Sequence, residues 1–269
     1  MKLSNDEKIR LKNKYGEWAI VTGASSGIGL ELATLLADAG FNIVINARDE
    51  AKLYHAESQL KKYNILIKTV VADISESGGI EKIIQSTLGL NVGLLINNAG
   101  YGTSGMFFES SVQSEVSMLR VNCEAVLLLT HYYAQKFKEQ QRGGIIFLSS
   151  IVAFQGTPFA SNYAATKAYV QTLAEGLAIE LKPYGIDVLA AAPGPVASSF
   201  GQRANMNMNM SMTPSEVGAP ILQALGRNTT ILPGLLTKIL VYSLRTVPRW
   251  GKVRIMALVM GGMTAHQRK

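Results

Sequence analysis

The sequence predicts an α/β fold: one doubly wound parallel sheet in three layers, a single domain carrying a basic, apolar C-terminal extension. Three observations predict it. Apolar runs of strand length alternate with periodic segments of helix length along most of the chain. The runs are nearly continuous in apolar character, as strands covered on both faces require. No linker-like composition and no internal repeat divides the 269 residues, a length within reach of one α/β domain.

The elements follow in order. Residues 1–15 are a polar, helical lead-in, and the domain proper is expected over 16–233. "EWAIVTG" reads as the first strand and "IGLELATLLADAG" as a helix stopped at Gly40. "FNIVINA" is a second strand, followed by the helix "DEAKLYHAESQLKKY". "LIKTVVAD", "NVGLLINNAG", "GGIIFLSS" and "GIDVLAAAPG" continue the strand series, with helices near 76–88, 112–139 and 161–182. After "APGPV" the period is lost through residues 196–216, which hold four methionines between Met206 and Met212. A short strand-like "TTILP" precedes the extension, 234–269.

The net charge of +7 is unevenly placed: residues 1–216 hold 18 Lys/Arg and 19 Asp/Glu, whereas the remainder holds 8 Lys/Arg and no acid. The body of the protein is therefore nearly neutral, which argues against nucleic acid as a partner. Cys123 is the single cysteine and can form no internal disulfide, in keeping with a reducing cytoplasm. "MKLSNDEKIRLKNKYG" has no apolar leader, and no window of about 18 uncharged apolar residues suggests a spanning helix. A cytoplasmic location is expected, and no metal ligands are assigned.

"TGASSGIG" follows the first strand and opens a helix, so Gly23, Gly27 and Gly29, with Ser25, Ser26 and Ile28, sit where a Rossmann-type turn receives a pyrophosphate. The next strand should end near the ribose. It reads "INARDE", offering Arg48 where an NAD enzyme usually has an acid; a guanidinium suits a 2′-phosphate. NADP(H) is thus expected over NAD(H), unless Arg48 is a solvated surface charge. In "VVADI", Asp73, beside Ile74, either accepts from an adenine amine or caps the helix that follows.

Tyr163 and Lys167 in "SNYAATKAYV" share a helix face, and a cation beside a phenol lowers its pKa. Tyr132 and Lys136 repeat the spacing, so spacing alone leaves two candidates.

Taken together, "TGASSGIG", "NNAG" at 97–100, "VN" at 121–122, a serine closing the fifth strand, the tyrosine–lysine step and "PG" at 193–194 resemble the short-chain dehydrogenase/reductase family over roughly residues 16–200. In that family the active serine precedes the tyrosine by about 13 residues, which leads from Tyr163 back to Ser150, but from Tyr132 to Leu119. The resemblance implies a catalytic group of Asn122, Ser150, Tyr163 and Lys167. Ser150 and Tyr163 would hold a carbonyl oxygen, and Tyr163 would donate a proton as hydride arrives. Lys167 would hold the nicotinamide ribose and favour phenolate. Asn122 would anchor a proton-relaying water, or serve its helix structurally. Asn97 and Asn98 would offer amides to neighbouring backbone, and Ala99 would leave room for the adenosine ribose. Pro193 and Gly194 would turn the chain beneath the nicotinamide, with the Val196 backbone on its carboxamide.

Residues 196–216 would then be the substrate lid, either lining an adaptable apolar pocket or merely a loop of biased composition. In the extension, Leu236, Leu240, Leu244 and Val247 form a helical stripe ahead of Pro248, which should kink or end that helix. The stripe packs on the domain or a second subunit, or else Trp250 and its basic neighbours lie on an anionic membrane. The expected activity is NADP(H)-dependent interconversion of a ketone or aldehyde and an alcohol, the substrate apolar and the assembly a homodimer or homotetramer. Reduction of 3-oxoacyl or other lipid carbonyls is the alternative within enzymes. A dinucleotide-binding sensor or scaffold without turnover is the alternative outside them.

Overall fold

The computed structural model describes residues 2–207 and 211–267. Seven parallel strands form one sheet in the order β3-β2-β1-β4-β5-β6-β7. They are β1 (Trp18–Thr22), β2 (Asn42–Ala47), β3 (Ile67–Val71), β4 (Val92–Asn97), β5 (Gly143–Leu148), β6 (Ile186–Ala191) and the short β7 (Thr230–Ile231). Alternate residues of each strand enter different cores, because side chains in a strand alternate between faces. Ala19, Val21, Ile43, Ile45, Leu94 and Ile96 face one core. Ile20, Val44, Leu95, Ile145 and Phe147 face the other. Both faces are covered, which explains the continuous apolar runs.

Helices α1 (Asn5–Tyr15), α2 (Gly27–Asp38), α3 (Glu50–Leu60) and α9 (Pro214–Ala224) supply the first core. The lead-in α1 is bound tightly to it. Arg10 donates to the carbonyls of Leu225 at 2.9 Å and Leu222 at 3.1 Å, satisfying the C-terminal end of α9. Tyr15 is fully buried and donates to Asp187 at 2.7 Å.

On the opposite face lie α4 (Ser77–Ser86), α5 (Val112–Leu119), α6 (Ala125–Gln140), α7 (Ser161–Glu180) and part of α11 (Arg249–Met263). The helix expected over 112–139 is interrupted: Arg120–Glu124 form a π-helical turn between α5 and α6. The extra residue in that turn rotates Asn122 inward.

The lid contains one short helix, α8 (Ser199–Arg203), and returns along Val196, which bridges Met212 in parallel. Met208 and Met210 lie outside the described residues. In the extension, α10 (Leu235–Ser243) ends before Pro248, which caps the N-terminus of α11 rather than kinking a longer helix. Among the described residues no helix is long and apolar enough to cross a membrane.

Candidate active site

Between β1 and β4 the strand order reverses, and there a doubly wound sheet leaves a crevice at its carboxyl ends. A cavity of about 950 Å³ occupies it, lined by residues that follow six successive strands, from Gly23 and Arg48 through Asp73 and Asn98 to Ser149 and Pro193.

The glycine-rich turn packs against the end of β4. Gly23 has φ +64°, and a Cβ there would stand 2.8 Å from the Cα of Ala99. A Cβ on Gly29 would collide with the Gly23 carbonyl and the Asn98 amide. Asn98 Nδ2 donates to the carbonyls of Thr22 at 2.8 Å and Gly23 at 3.1 Å, as expected of an amide serving backbone. Thr22, which sequence reasoning missed, accepts through Oγ1 from the N–H groups of Asn98 and Ala99 at 3.1 and 3.0 Å. Ser25, Ser26, Gly27 and Ile28 line the cavity, whereas Gly29 lies behind it. Ser26 leaves the start of α2 uncapped by its side chain and instead meets Ser199 of the lid, Oγ to Oγ, at 3.4 Å.

At the far end from the lysine–tyrosine pair, Arg48, Lys52, Asp73, Ile74 and Arg203 share the wall. Arg48 Nη1 is 3.8 Å from Asp73 Oδ2. Asp73 does not cap α4, whose N-cap is Glu76; its Oδ1 accepts from Ser75 N at 2.9 Å. Burial raises the Asp73 carboxyl, but the Ser75 bonds and the charges of Arg48 and Arg203 outweigh it, leaving the pKa below the ordinary value. The Arg203 guanidinium lies 3.6 Å from the ring centre of Tyr101.

At the other end Tyr163 and Lys167 project from α7, both buried, and Ser150, whose Oγ accepts from Val152 N at 3.4 Å, stands near enough to the Tyr163 hydroxyl to lower its pKa. Lys167 Nζ donates to the Leu148 carbonyl at 2.6 Å and stands 5.9 Å from the centre of the Tyr163 ring. Here the expected lowering of the phenol pKa is reversed. Burial raises Tyr163 well above the ordinary phenol range, against the opposing influence of Ser150. Burial also brings Lys167 down to about 8, so the lysine holds its charge weakly.

Two expected neighbours stand behind the cavity wall. Asn97 Nδ2 bonds Thr130 Oγ1 at 3.0 Å, a side chain rather than the expected backbone, because strand alternation turns it away from Asn98. Asn122 Oδ1 accepts from Tyr101 N at 3.1 Å, while its Nδ2 donates to Tyr101 O and Thr166 Oγ1, each at 2.9 Å. These bonds make Asn122 a clamp between α7 and the segment after β4. Its Oδ1 still approaches the lysine across Gly100: a Cβ there would stand 3.0 Å from Asn122 Oδ1 and 3.4 Å from Lys167 Nζ.

Ala99, Pro193, Gly194 and Val196 line the cavity. The bridge to Met212 engages Pro195 O and Ala197 N, leaving the Val196 N–H without a protein partner among the described residues. Tyr132 and Lys136 lie elsewhere: Tyr132 packs edge-on against Tyr133, and Lys136 pairs with Glu139 at 3.1 Å.

The extension closes the cavity. Leu240 of α10 and Leu244 just after it, with Ile255, Met256, Val259, Met260 and Met263 of α11, line it beside Phe200 and Met206 of the lid. Met212, by contrast, packs on the first core. Val247 packs against Gly251, not the cavity. The helical spacing of Leu240 and Leu244 was visible in the sequence; the methionines of α11 gave no comparable sign.

A nucleotide-binding crevice with a buried tyrosine and lysine beside a half-buried serine defines an oxidoreductase of the dinucleotide-dependent kind. The family model for short chain dehydrogenases matches residues 17–209, and the chain belongs to that family. It is 28% identical over 234 residues to the 7beta-hydroxysteroid dehydrogenase of Collinsella aerofaciens, covering 84% of this chain and 89% of that one. It is 38% identical over 190 residues to a very-long-chain 3-oxoacyl-CoA reductase-like protein of Arabidopsis thaliana, covering 68% of this chain and 61% of the relative. A short-chain dehydrogenase from Sphingobium yanoikuyae, solved with NADPH, superposes with a TM-score of 0.79 at 29% identity, covering 85% and 92% of the two chains.

Proposed function

We propose that the protein is an NADP(H)-dependent oxidoreductase that reduces a bulky apolar ketone to the alcohol. The observation that carries this reading is the convergence of Ser150, Tyr163 and Lys167 on the same cavity as Arg48 and Arg203. A nicotinamide dinucleotide fits the donors present. The glycine turn and the start of α2 suit the pyrophosphate, the unpartnered Val196 N–H suits the carboxamide, and Arg48 with Arg203 suits a 2′-phosphate. Bound there, the cofactor supplies hydride to the carbonyl carbon.

The chain supplies the proton and the orientation. Tyr163 Oη, neutral because burial raises its pKa, donates to the carbonyl oxygen as negative charge grows on it. Ser150 Oγ holds the same oxygen. Lys167 Nζ, which approaches Asn122 Oδ1 across Gly100, would hold the nicotinamide ribose. Phe200 and the methionines of α11 keep water out and present an apolar wall.

Two of the relatives are named for bulky substrates, a hydroxysteroid and a very-long-chain 3-oxoacyl-CoA. A 3-oxoacyl thioester is the second reading, favoured by the 38% identity to the 3-oxoacyl-CoA reductase-like protein. A homodimer is proposed through exposed apolar residues of α5 and α6, among them Val116, Leu119, Leu127 and Leu128. The decisive experiment titrates the protein with NADPH and NADH by nicotinamide fluorescence, then follows NADPH oxidation with steroid ketones and 3-oxoacyl thioesters. Tight NADPH binding and turnover of a steroid ketone are expected. Failure to bind either nucleotide would remove the reading.

A further inference from the structure

The five cations of α10, α11 and their connection, Lys238, Arg245, Arg249, Lys252 and Arg254, form no ion pair among the described residues. No acid lies in the chain beyond Glu216 to neutralise them. The same helices are two-sided. Helix α11 turns Met256, Met260 and Met263 to the cavity but leaves Trp250 65% and Leu258 79% exposed, with Arg254 between them on the same stripe. Helix α10 exposes Leu235, Ile239 and Tyr242 beside Lys238. Exposed apolar side chains lying among cations that form no ion pair, with Arg254 5.2 Å from the centre of the Trp250 ring, suit a partner.

We propose that this outer face of α10 and α11 docks on an anionic lipid surface, Trp250 and Leu258 entering the headgroup boundary and the cations meeting lipid phosphates. Charge decides the occupant. A second copy seated two-fold on this face would set the five cations of one chain against the same five of the other, which is repulsive. Anionic lipid is complementary and attracts each such cation by a modest increment. The helices have 9 and 15 residues, too short to span a bilayer but long enough to lie on one. The docked face and the cavity are opposite sides of the single helix α11. Nothing in this inference depends on which carbonyl is reduced.

The test uses the protein's own fluorescence. There are two tryptophans, and Trp18 is buried, so a change in emission on adding vesicles reports Trp250. Full-length protein is mixed with vesicles of phosphatidylcholine alone or with phosphatidylglycerol, and co-sedimentation is measured in parallel. A blue shift and co-sedimentation with the anionic vesicles are expected, both reversed by about 1 M salt, where the screening length is about 3 Å. The triple variant Lys238→Gln/Arg245→Gln/Arg249→Gln should lose about a hundred-fold in partitioning, roughly five-fold per charge. Leu258→Asp should lose the blue shift while keeping the wild-type thermal midpoint. Should the triple variant misfold, the salt titration of the wild type still decides. Absence of both signals overturns the proposal, as does equal binding to neutral vesicles. A concentration-dependent blue shift without vesicles overturns it too, because self-association would then be covering Trp250.

Discussion

The ring of Phe200, on the lid helix, lies 5.3 Å from the ring of Tyr163, centre to centre, with the planes inclined at 48°. Gly102 makes this possible, since a Cβ there would stand 3.0 Å from Phe200 and 3.1 Å from Tyr163. The lid is therefore a wall of the site at the phenol itself. Phe200→Ala is expected to lower kcat/KM for apolar ketones about ten-fold, the worth of such a ring pair, while NADPH affinity holds. Steady-state kinetics with unchanged kcat/KM would show that Phe200 does not shape the substrate site.

Tyr163→Phe separates an enzyme from a sensor. It removes the proton donor and keeps the ring, so turnover should fall about 10²–10⁴-fold with nucleotide affinity unchanged. Fluorescence titration alongside the rate assay checks both halves. A variant that still turns over normally would move the chemistry to another group.

Arg48 and Arg203 approach the same end of the cavity from β2 and from the lid. Each charge-assisted bond to a phosphate contributes about 1.5–3 kcal/mol. Arg48→Ala should weaken NADPH about 10- to 100-fold and leave NADH nearly unchanged. Arg203→Ala should act in the same direction and also release the lid from Tyr101. Equal losses for both nucleotides would assign these arginines to the pyrophosphate or to structure instead.

The buried Lys167 leaves a signature in stability. Unfolded, it keeps its proton up to the ordinary 10.5; folded, it loses it near 8. Between those values the unfolded chain binds more protons, so the lysine's contribution grows as pH rises and is lost as pH falls through about 8. The difference in unfolding free energy between wild type and Lys167→Met should shift in favour of the wild type across that window, by at most about 1.4 kcal/mol per pH unit. Denaturant titrations at several pH values measure it, and a flat difference would mean that the lysine is solvated.

Glycines can be told apart by what a methyl would meet. Gly29→Ala drives a Cβ into the Gly23 carbonyl and should cost about 1–3 kcal/mol along with nucleotide binding. In Gly78→Ala the Cβ meets nothing within 4 Å on a helix, and stability should rise by about 0.5 kcal/mol. Thermal melts of the two variants make the comparison.

Much of the site was legible because it is local. The glycine turn, Arg48 and Asp73 each close a strand, and the tyrosine–lysine step is one helix turn. Thr22 was not legible, since a threonine ending a strand has no mark until β4 lies beside it. Asn97 and Asn98 look alike in sequence and part only because adjacent strand residues face opposite sides.

Period, glycine and spacing are properties of neighbours along the chain, so the order of strands and helices, the crevice at the strand ends and the residue types gathered there could be read before folding. The opposite shifts of Tyr163 and Lys167 depend on packing, because burial acts on both from all directions. Only the tertiary structure decided that residues about 75–100 positions further on, in α10 and α11, wall the cavity. Their apolar pattern favoured packing on the domain or a second subunit over a membrane, and only packing shows which face of each helix is turned inward.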